Sequence, residues 1–288
     1  MRSIHYLFLL LFIFSCEQGA TTNEDDTNSE EQTTVESDAP QPNEAGVIGQ
    51  EVSYETDSTT MNGYLAYSNK FEGPRPGVLV IHEWWGHNDY ARSRADMLAE
   101  LGYVALAVDM YGDGQLATHP DDAGTFAMSV MGNIDVAKAR FEAALGFLRS
   151  QEQADEDKMA SIGYCFGGSV SLAMANAGYD LDAVAAFHSG LTLPVWPEST
   201  EDVKAKILVC NGADDPFIAP EHITDFNKKY DDLGIPYEYI AYEGAVHAFT
   251  DPGADAKGEE FGLPLAYNEE ADVASWEALQ AHLAEAFE

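Results

Sequence analysis

The ordered part of the chain opens with apolar and polar positions in alternation. Residues 50–56 and 61–68 both show this period of two, and the polar run Asp57, Ser58, Thr59 and Thr60 separates them. They predict an antiparallel hairpin at a sheet edge. The pattern then changes. Gly77, Val78, Leu79, Val80 and Ile81 form a continuous apolar run, the signature of a parallel strand buried on both faces. Further short apolar runs at 103–108, 159–162, 183–187, 206–210 and 237–242 read as strands. Between and after them, helical periodicity covers 90–101, 121–131, 134–150, 169–177, 220–233 and 266–287, with Gly102 and Gly178 as stop signals. Strands that alternate with helices imply a mostly parallel sheet joined by right-handed crossovers, with functional loops at the carboxyl ends of the strands. No internal repeat is visible.

The first 48 residues belong to a different class. Arg2 precedes an apolar run over residues 6–14, too short to span a bilayer and matching a secretory signal segment that ends at Ser15. Ile13, Phe14, Ser15 and Cys16 resemble a bacterial lipobox, although Phe14 stands where a smaller residue is usual. The resemblance implies cleavage before Cys16 and lipidation of its thiol, with plain secretion or an uncleaved anchor as alternatives. Residues 17–45 contain no Lys or Arg and few apolar side chains, too few to offset chain entropy. The expected layout is a signal peptide over 1–15, a disordered acidic tether over 16–48 and one folded domain over 49–288. The expected location is the cell envelope, with membrane contact only through the anchor.

Charge and cysteine count narrow the picture further. Fifty acidic residues against 14 basic ones give a formal net charge of −36, which argues against nucleic acid or anionic membrane surfaces as partners. A solvated, self-repelling surface explains this excess without any acidic binding function. Three cysteines cannot make a disulfide framework. Cys165 and Cys210 fall on next-but-one strands, about 9–10 Å apart, whereas a disulfide needs less than about 7 Å. Cys165 should be a free thiol and Cys210 a core residue.

The chemistry centres on Gly163-Tyr164-Cys165-Phe166-Gly167-Gly168, a tight turn between a strand and a helix. This is the pattern of a nucleophile elbow, with cysteine where serine is more usual. Side chains two positions either side of the nucleophile would collide with the neighbouring strand and helix, which explains the glycines. The helix N-terminus behind the sulfur favours a thiolate and offers amides to an oxyanion. The bland alternative is a glycine-rich turn with a buried, inert cysteine. Two later strand ends supply the partners: Asp214 and Asp215 after 206–210, and His247 after 237–242. Asp215 is preferred because the turn Asp215-Pro216-Phe217 suits the triad acid, and the order nucleophile, acid, histidine is that of α/β-hydrolases. The backbone amides of Trp84 and Phe166 are the expected oxyanion hole. His82 and Glu83 do not form a zinc motif, since no H-E-x-x-H is present and the next histidine is His87. No metal and no cofactor are expected.

From about residue 50 to the C-terminus the chain resembles the dienelactone hydrolase family. The matching segments are the elbow, Gly212 to Phe217, Val246-His247-Ala248-Phe249 and His82-Glu83-Trp84-Trp85-Gly86. The resemblance implies an α/β-hydrolase fold, a mostly parallel sheet with helices on both faces, and hydrolysis of a small-molecule ester or lactone. It further implies that Glu83 hydrogen-bonds the resting Cys165 thiol and accepts its proton when substrate arrives. One position departs. Dienelactone-cleaving members carry an arginine for the substrate carboxylate shortly after the motif matching Asp109-Met110-Tyr111, where this chain has Asp113. Arg92 and Arg94 lie on a predicted helix and are expected to face solvent. A neutral or cationic ester, lactone or thioester is therefore expected. Trp84, Trp85, Tyr111, Phe126 and Trp196 are candidate pocket walls, and each reads equally well as core. Competing readings are a non-catalytic envelope binding protein on the same fold and a serine peptidase. The latter lacks a serine at the turn apex, since Ser161 and Ser169 lie outside it. The sequence assigns no oligomeric state.

Overall fold

The computed structural model describes residues 41–288 apart from Asp57. The signal segment, Cys16 and the tether up to residue 40 lie outside the described residues. An eight-stranded sheet organises the rest. Its strands are β1 (Val47–Glu55), β2 (Thr60–Ser68), β3 (Arg75–Ile81), β4 (Val104–Val108), β5 (Ala154–Tyr164), β6 (Ala183–Phe187), β7 (Lys206–Gly212) and β8 (Tyr237–Tyr242). They run in the order β1-β2-β4-β3-β5-β6-β7-β8. The β1–β2 hairpin pairs antiparallel and joins β4 antiparallel, and every other pairing is parallel. This is the expected α/β-hydrolase fold.

Strand periodicity sorts the helices into two layers. On β3, Leu79 and Ile81 enter one core with Val104, Leu106 and Val108 of β4, while Val78 and Val80 enter the other with Ala105 and Ala107. The first face is covered by α2 (Pro120–Met131), α3 (Ile134–Arg149), α4 (Phe166–Asn176) and α5 (Pro220–Leu233). The second is covered by α1 (Asp89–Glu100) and α7 (Glu269–Ala286), with α6 (Ala254–Phe261) between α5 and α7 in the chain. Helix α4 is buried nearly all round, which is why its sequence shows no polar face.

Several boundaries differ from the sequence expectation, for local reasons. Strand β1 begins at Val47, before the expected domain start at residue 49, because the Asn43 side chain accepts from the Val47 amide and turns the chain into the sheet. Strand β5 extends back to Ala154 through the polar residues Asp155, Glu156 and Asp157, past an irregularity in the register opposite Pro76 and Gly77. The closing helix expected over 266–287 is α7, which starts at Glu269, and it is preceded by α6, which the sequence did not predict. Gly262 ends α6 in the left-handed conformation and Asn268 caps α7 through its side chain. Arg94 does not face solvent. It is buried between α1 and α7, paired with Asp272 at 2.6 Å and donating to the Thr250 carbonyl. Among the described residues, no helix is long and apolar enough to cross a membrane.

Candidate active site

Parallel register brings the carboxyl ends of five strands to one edge. Ile81 of β3 pairs with Gly163 of β5, Tyr164 with Phe187 of β6, Phe187 with Cys210 of β7, and Cys210 with Ile240 of β8. The loops that follow these strands therefore converge.

Cys165 sits at the β5–α4 junction with φ 54° and ψ −114°, a strained backbone for a residue with a side chain. The surrounding glycines are demanded by space. A Cβ on Gly163 would lie 2.1 Å from the Gly167 carbonyl oxygen, and one on Gly167 would lie 2.2 Å from that of Ile81. A Cβ on Gly168 would meet the Ser189 hydroxyl at 1.6 Å. Phe166 is the first residue of α4, so its amide belongs to the turn that has no intrahelical acceptor. Trp84 follows β3, and the Tyr111 hydroxyl donates to its carbonyl at 2.9 Å, fixing that peptide.

The acid and histidine loops are stitched together through backbone. The Ala213 amide donates to the Tyr242 carbonyl and the Asp214 amide to that of Ala245. This delivers Asp215 Oδ2 to His247 Nδ1 at 2.8 Å, while Asp215 Oδ1 accepts from the Phe217 amide at 2.9 Å. Asp214 is exposed. Burial disfavours a charged His247 ring, but the charge interaction with the Cys165 sulfur and side-chain hydrogen bonds to Asp215 and Cys165 outweigh it. The ring is raised to about 10. Cys210 is a buried free thiol pushed up to about 12 by burial, with Cys165 the other free cysteine among the described residues.

Glu83 is buried behind this constellation. Its Oε2 has no hydrogen-bond partner, and its Oε1 lies 4.0 Å from His188 Nε2. Burial and the Asp251 charge raise its carboxyl to about 7, against the opposing charges of Lys257, His247 and Arg94. The Cys165 sulfur interacts with His247, and no hydrogen bond links it to Glu83 in this conformation. His82 is engaged at both ring nitrogens: Nδ1 bonds the Glu83 carbonyl and Nε2 accepts from the Met110 amide, which fixes the neutral tautomer.

Cys165 and His247 open onto a cavity of about 360 Å³. Trp84, Phe166, Met131, Phe217, Ile218 and Leu265 supply its apolar walls, and among the described residues no Lys, Arg, Asp or Glu lines it. Of the other expected wall residues, Trp85 lies elsewhere, stacked on Phe261 beneath Lys257. Tyr111 is buried below the cavity, with Phe126 packed on its ring. Trp196 lines a separate groove. Arg94 is occupied with Asp272 and Arg92 with Glu51, so neither takes the place of the missing arginine.

His188 was not among the expected site residues. It follows β6 with φ 38°, is fully buried, bonds the Thr250 hydroxyl at 2.8 Å and meets the His247 ring edge-on at 5.2 Å. Its signal in the sequence was a polar residue directly after an apolar parallel strand, at the carboxyl edge where function collects.

Comparison with known proteins identifies relatives of the chain. Protein usf of Aquifex pyrophilus is 33% identical over 210 residues, covering 71% of this chain and 88% of that protein. A protein of Aquifex aeolicus (strain VF5), named as a candidate carboxymethylenebutenolidase, is 30% identical with the same coverage. Among solved structures, a dienelactone hydrolase-like promiscuous phosphotriesterase from metagenomic libraries superposes with a TM-score of 0.76 at 34% identity, covering 83% of this chain and 98% of that one. The protein m3DLH superposes with a TM-score of 0.79 at 36% identity, covering 84% and 99%. The profile of the dienelactone hydrolase family matches residues 61–287. The chain belongs to the dienelactone hydrolase family, and it is a hydrolase.

Proposed function

We propose that the protein hydrolyses uncharged carboxylic esters or lactones through a Cys165-His247-Asp215 triad. The observation that carries this reading is the 2.8 Å contact between Asp215 and His247 beside a cysteine on a strained, glycine-enforced turn. His247 takes the Cys165 thiol proton as the sulfur attacks the acyl carbon, and the amides of Trp84 and Phe166 receive the developing oxyanion. The alkoxide departs with a proton from His247, leaving a thioester on Cys165. His247 then takes a proton from water as its oxygen adds to the thioester. Collapse of that adduct releases the carboxylic acid and restores the thiol. Asp215 holds the imidazole in the required tautomer throughout. Glu83 serves as the buried carboxyl that takes the thiol hydrogen bond in an alternative rotamer of Cys165, one in which the sulfur has turned away from His247. A wall without charged side chains supports a neutral acyl group.

The test is turnover of 4-nitrophenyl acetate by the wild type and by Cys165→Ala, with intact-mass detection of a hydroxylamine-sensitive acyl adduct on the wild type. Loss of turnover in a folded variant is expected. Undiminished turnover rules the triad out. A neutral phosphotriester belongs in the same substrate panel, because one structural neighbour is named for that activity. For location, we propose that Cys16 is lipidated and that residues 17–45 hold the enzyme off the membrane. Metabolic labelling with an alkynyl fatty acid should mark the wild type and not Cys16→Ser. Equal labelling of both removes this assignment.

A further inference from the structure

A second cavity adjoins the first and is larger, about 580 Å³ against 360 Å³. Thr192 lines both. The outer groove contains no nucleophile. Its wall is Leu191, Thr192 and Trp196 on one side and His222, Asp225 and Lys229 on the other. The last three are spaced by three and four residues on α5 and share one helix face.

The groove is held in shape. Asn176 of α4 donates to the Val195 carbonyl at 3.0 Å, and its own oxygen accepts from the buried Tyr230 hydroxyl at 2.7 Å. The Ser169 hydroxyl donates to the Gly190 carbonyl at 2.8 Å, anchoring the start of the same segment. The Trp196 ring rests against Phe226, a core residue of α5. Asp225 and Lys229 have the spacing for a helical ion pair yet do not make one, although the next lysine, Lys228, pairs with Asp232. Both charges remain available to the groove.

This composition selects among ligands. A carboxylate near Lys229 would meet Asp225, and an ammonium near Asp225 would meet Lys229. A hydroxyl suits both, because it donates to one and accepts from the other. The indole adds a flat face of negative potential, against which the polarised C–H groups of a saturated ring can lie. We propose that the outer groove binds the polyhydroxylated alcohol portion, a sugar ring, of an ester whose acyl group occupies the inner cavity. The proposal rests on the hydrolase reading above. Water enters at the acyl carbon, the carboxylic acid leaves the inner cavity, and the free sugar leaves the groove. Binding energy gathered at a distance from the scissile bond raises kcat/KM when it holds that bond against the sulfur.

The experiment compares methyl 6-O-acetylglucopyranoside with cyclohexylmethyl acetate, which has a similar ring and the same scissile bond but no ring hydroxyls. The wild type should prefer the sugar ester by about tenfold or more in kcat/KM. Trp196→Ala and Asp225→Ala/Lys229→Met should each bring that ratio close to one. Thermal melting confirms that the variants fold, and the ratio cancels any general loss of activity. No preference in the wild type, a ratio unmoved by the variants, or a preference for carboxylate- or ammonium-bearing esters overturns the proposal. Direct binding of methyl glucopyranoside, followed by NMR saturation transfer, separates the two levels. Binding that depends on Trp196 without ester turnover upholds the groove and sinks the hydrolytic reading. Turnover of 4-nitrophenyl acetate without glycoside binding does the reverse.

Discussion

Replacing Glu83 by Gln tests the electrostatics behind the nucleophile. The carboxyl is fully buried, and its pKa rises from 4.5 to about 7. That displacement corresponds to roughly 3 kcal/mol, at 1.36 kcal/mol for each tenfold change in proton affinity. The sign follows from which state binds the proton more tightly. Below pH 4.5 the group is protonated both folded and unfolded and costs nothing. As pH rises from 4.5 to 7 the unfolded chain releases the proton first, so folding stability falls, and above 7 the full penalty persists. Gln cannot titrate. The stability of Glu83→Gln relative to the wild type should therefore climb by about 2–3 kcal/mol between pH 5 and 8. Burial holds His82 and His87 at about 4 and His188 well below its usual value, so these groups make stability rise with pH over the same range. His82 and His87 act alike in both proteins and cancel in the difference, whereas His188, 4.0 Å from Glu83 Oε1, loses a nearby carboxylate in Glu83→Gln and adds to the climb in the same direction. Urea unfolding at pH 5, 6, 7 and 8 gives the two curves, and a Cys165→Ala background removes the sulfur's share in raising His247. A difference that stays flat or falls with pH refutes the buried-acid account of Glu83.

Other substitutions probe separate parts. Asp215→Asn should leave the fold intact and cost about a thousandfold or more in kcat, because the amide no longer enforces the productive imidazole tautomer. Unchanged steady-state kinetics would remove Asp215 from the mechanism. Tyr111→Phe deletes the hydrogen bond to the Trp84 carbonyl. It should lower kcat about tenfold with little change in KM, whereas a change confined to KM would place Tyr111 at the substrate instead. Arg94→Met empties a buried position and leaves the half-buried Asp272 with only the Tyr267 hydroxyl, and it should cost about 3 kcal/mol by denaturant unfolding. Arg92→Met, which loses a solvent-exposed pair with Glu51, should cost less than about 1 kcal/mol. Equal losses would contradict the burial of Arg94.

The sequence exposed the parts of this molecule whose physics is local. Continuous apolar runs such as that over residues 77–81 give buried parallel strands, so a mostly parallel sheet followed from their alternation with helices, whereas the strand order needed the structure. The elbow was legible because three glycines within six residues have a steric reason that no other fold of that segment supplies. Asp215 was separable from Asp214 because a turn closed by proline points one carboxylate inward and leaves the other exposed. Features that depend on the whole fold were hidden. The burial of Arg94 needed Asp272, nearly 180 residues further on, together with the Tyr90, Tyr164 and Trp276 rings that surround it. Of the five aromatic residues expected as pocket walls, Trp84 lines the inner cavity and the other four do not. Trp85, Tyr111 and Phe126 pack beneath or beside it, while Met131, Phe217, Ile218 and Leu265, which carry no chemical signal, line it.

The same division separates reaction from substrate. The Asp215–His247 spacing is set by backbone contacts between two loops, with Gly212 so close to the Ala245 carbonyl that a Cβ would lie 2.3 Å from it. Side chains elsewhere can change without moving those atoms. The outer groove comes instead from the segment after His188 and from one face of α5, held in place by Asn176 and Tyr230 through contacts that do not touch the reacting atoms. A chain built this way can keep one acyl-transfer geometry while its outer groove is rewritten. Asp113 stands where the family resemblance led to the expectation of a carboxylate-binding arginine, and an inner wall without charged side chains suits a neutral acyl group better than an anionic one.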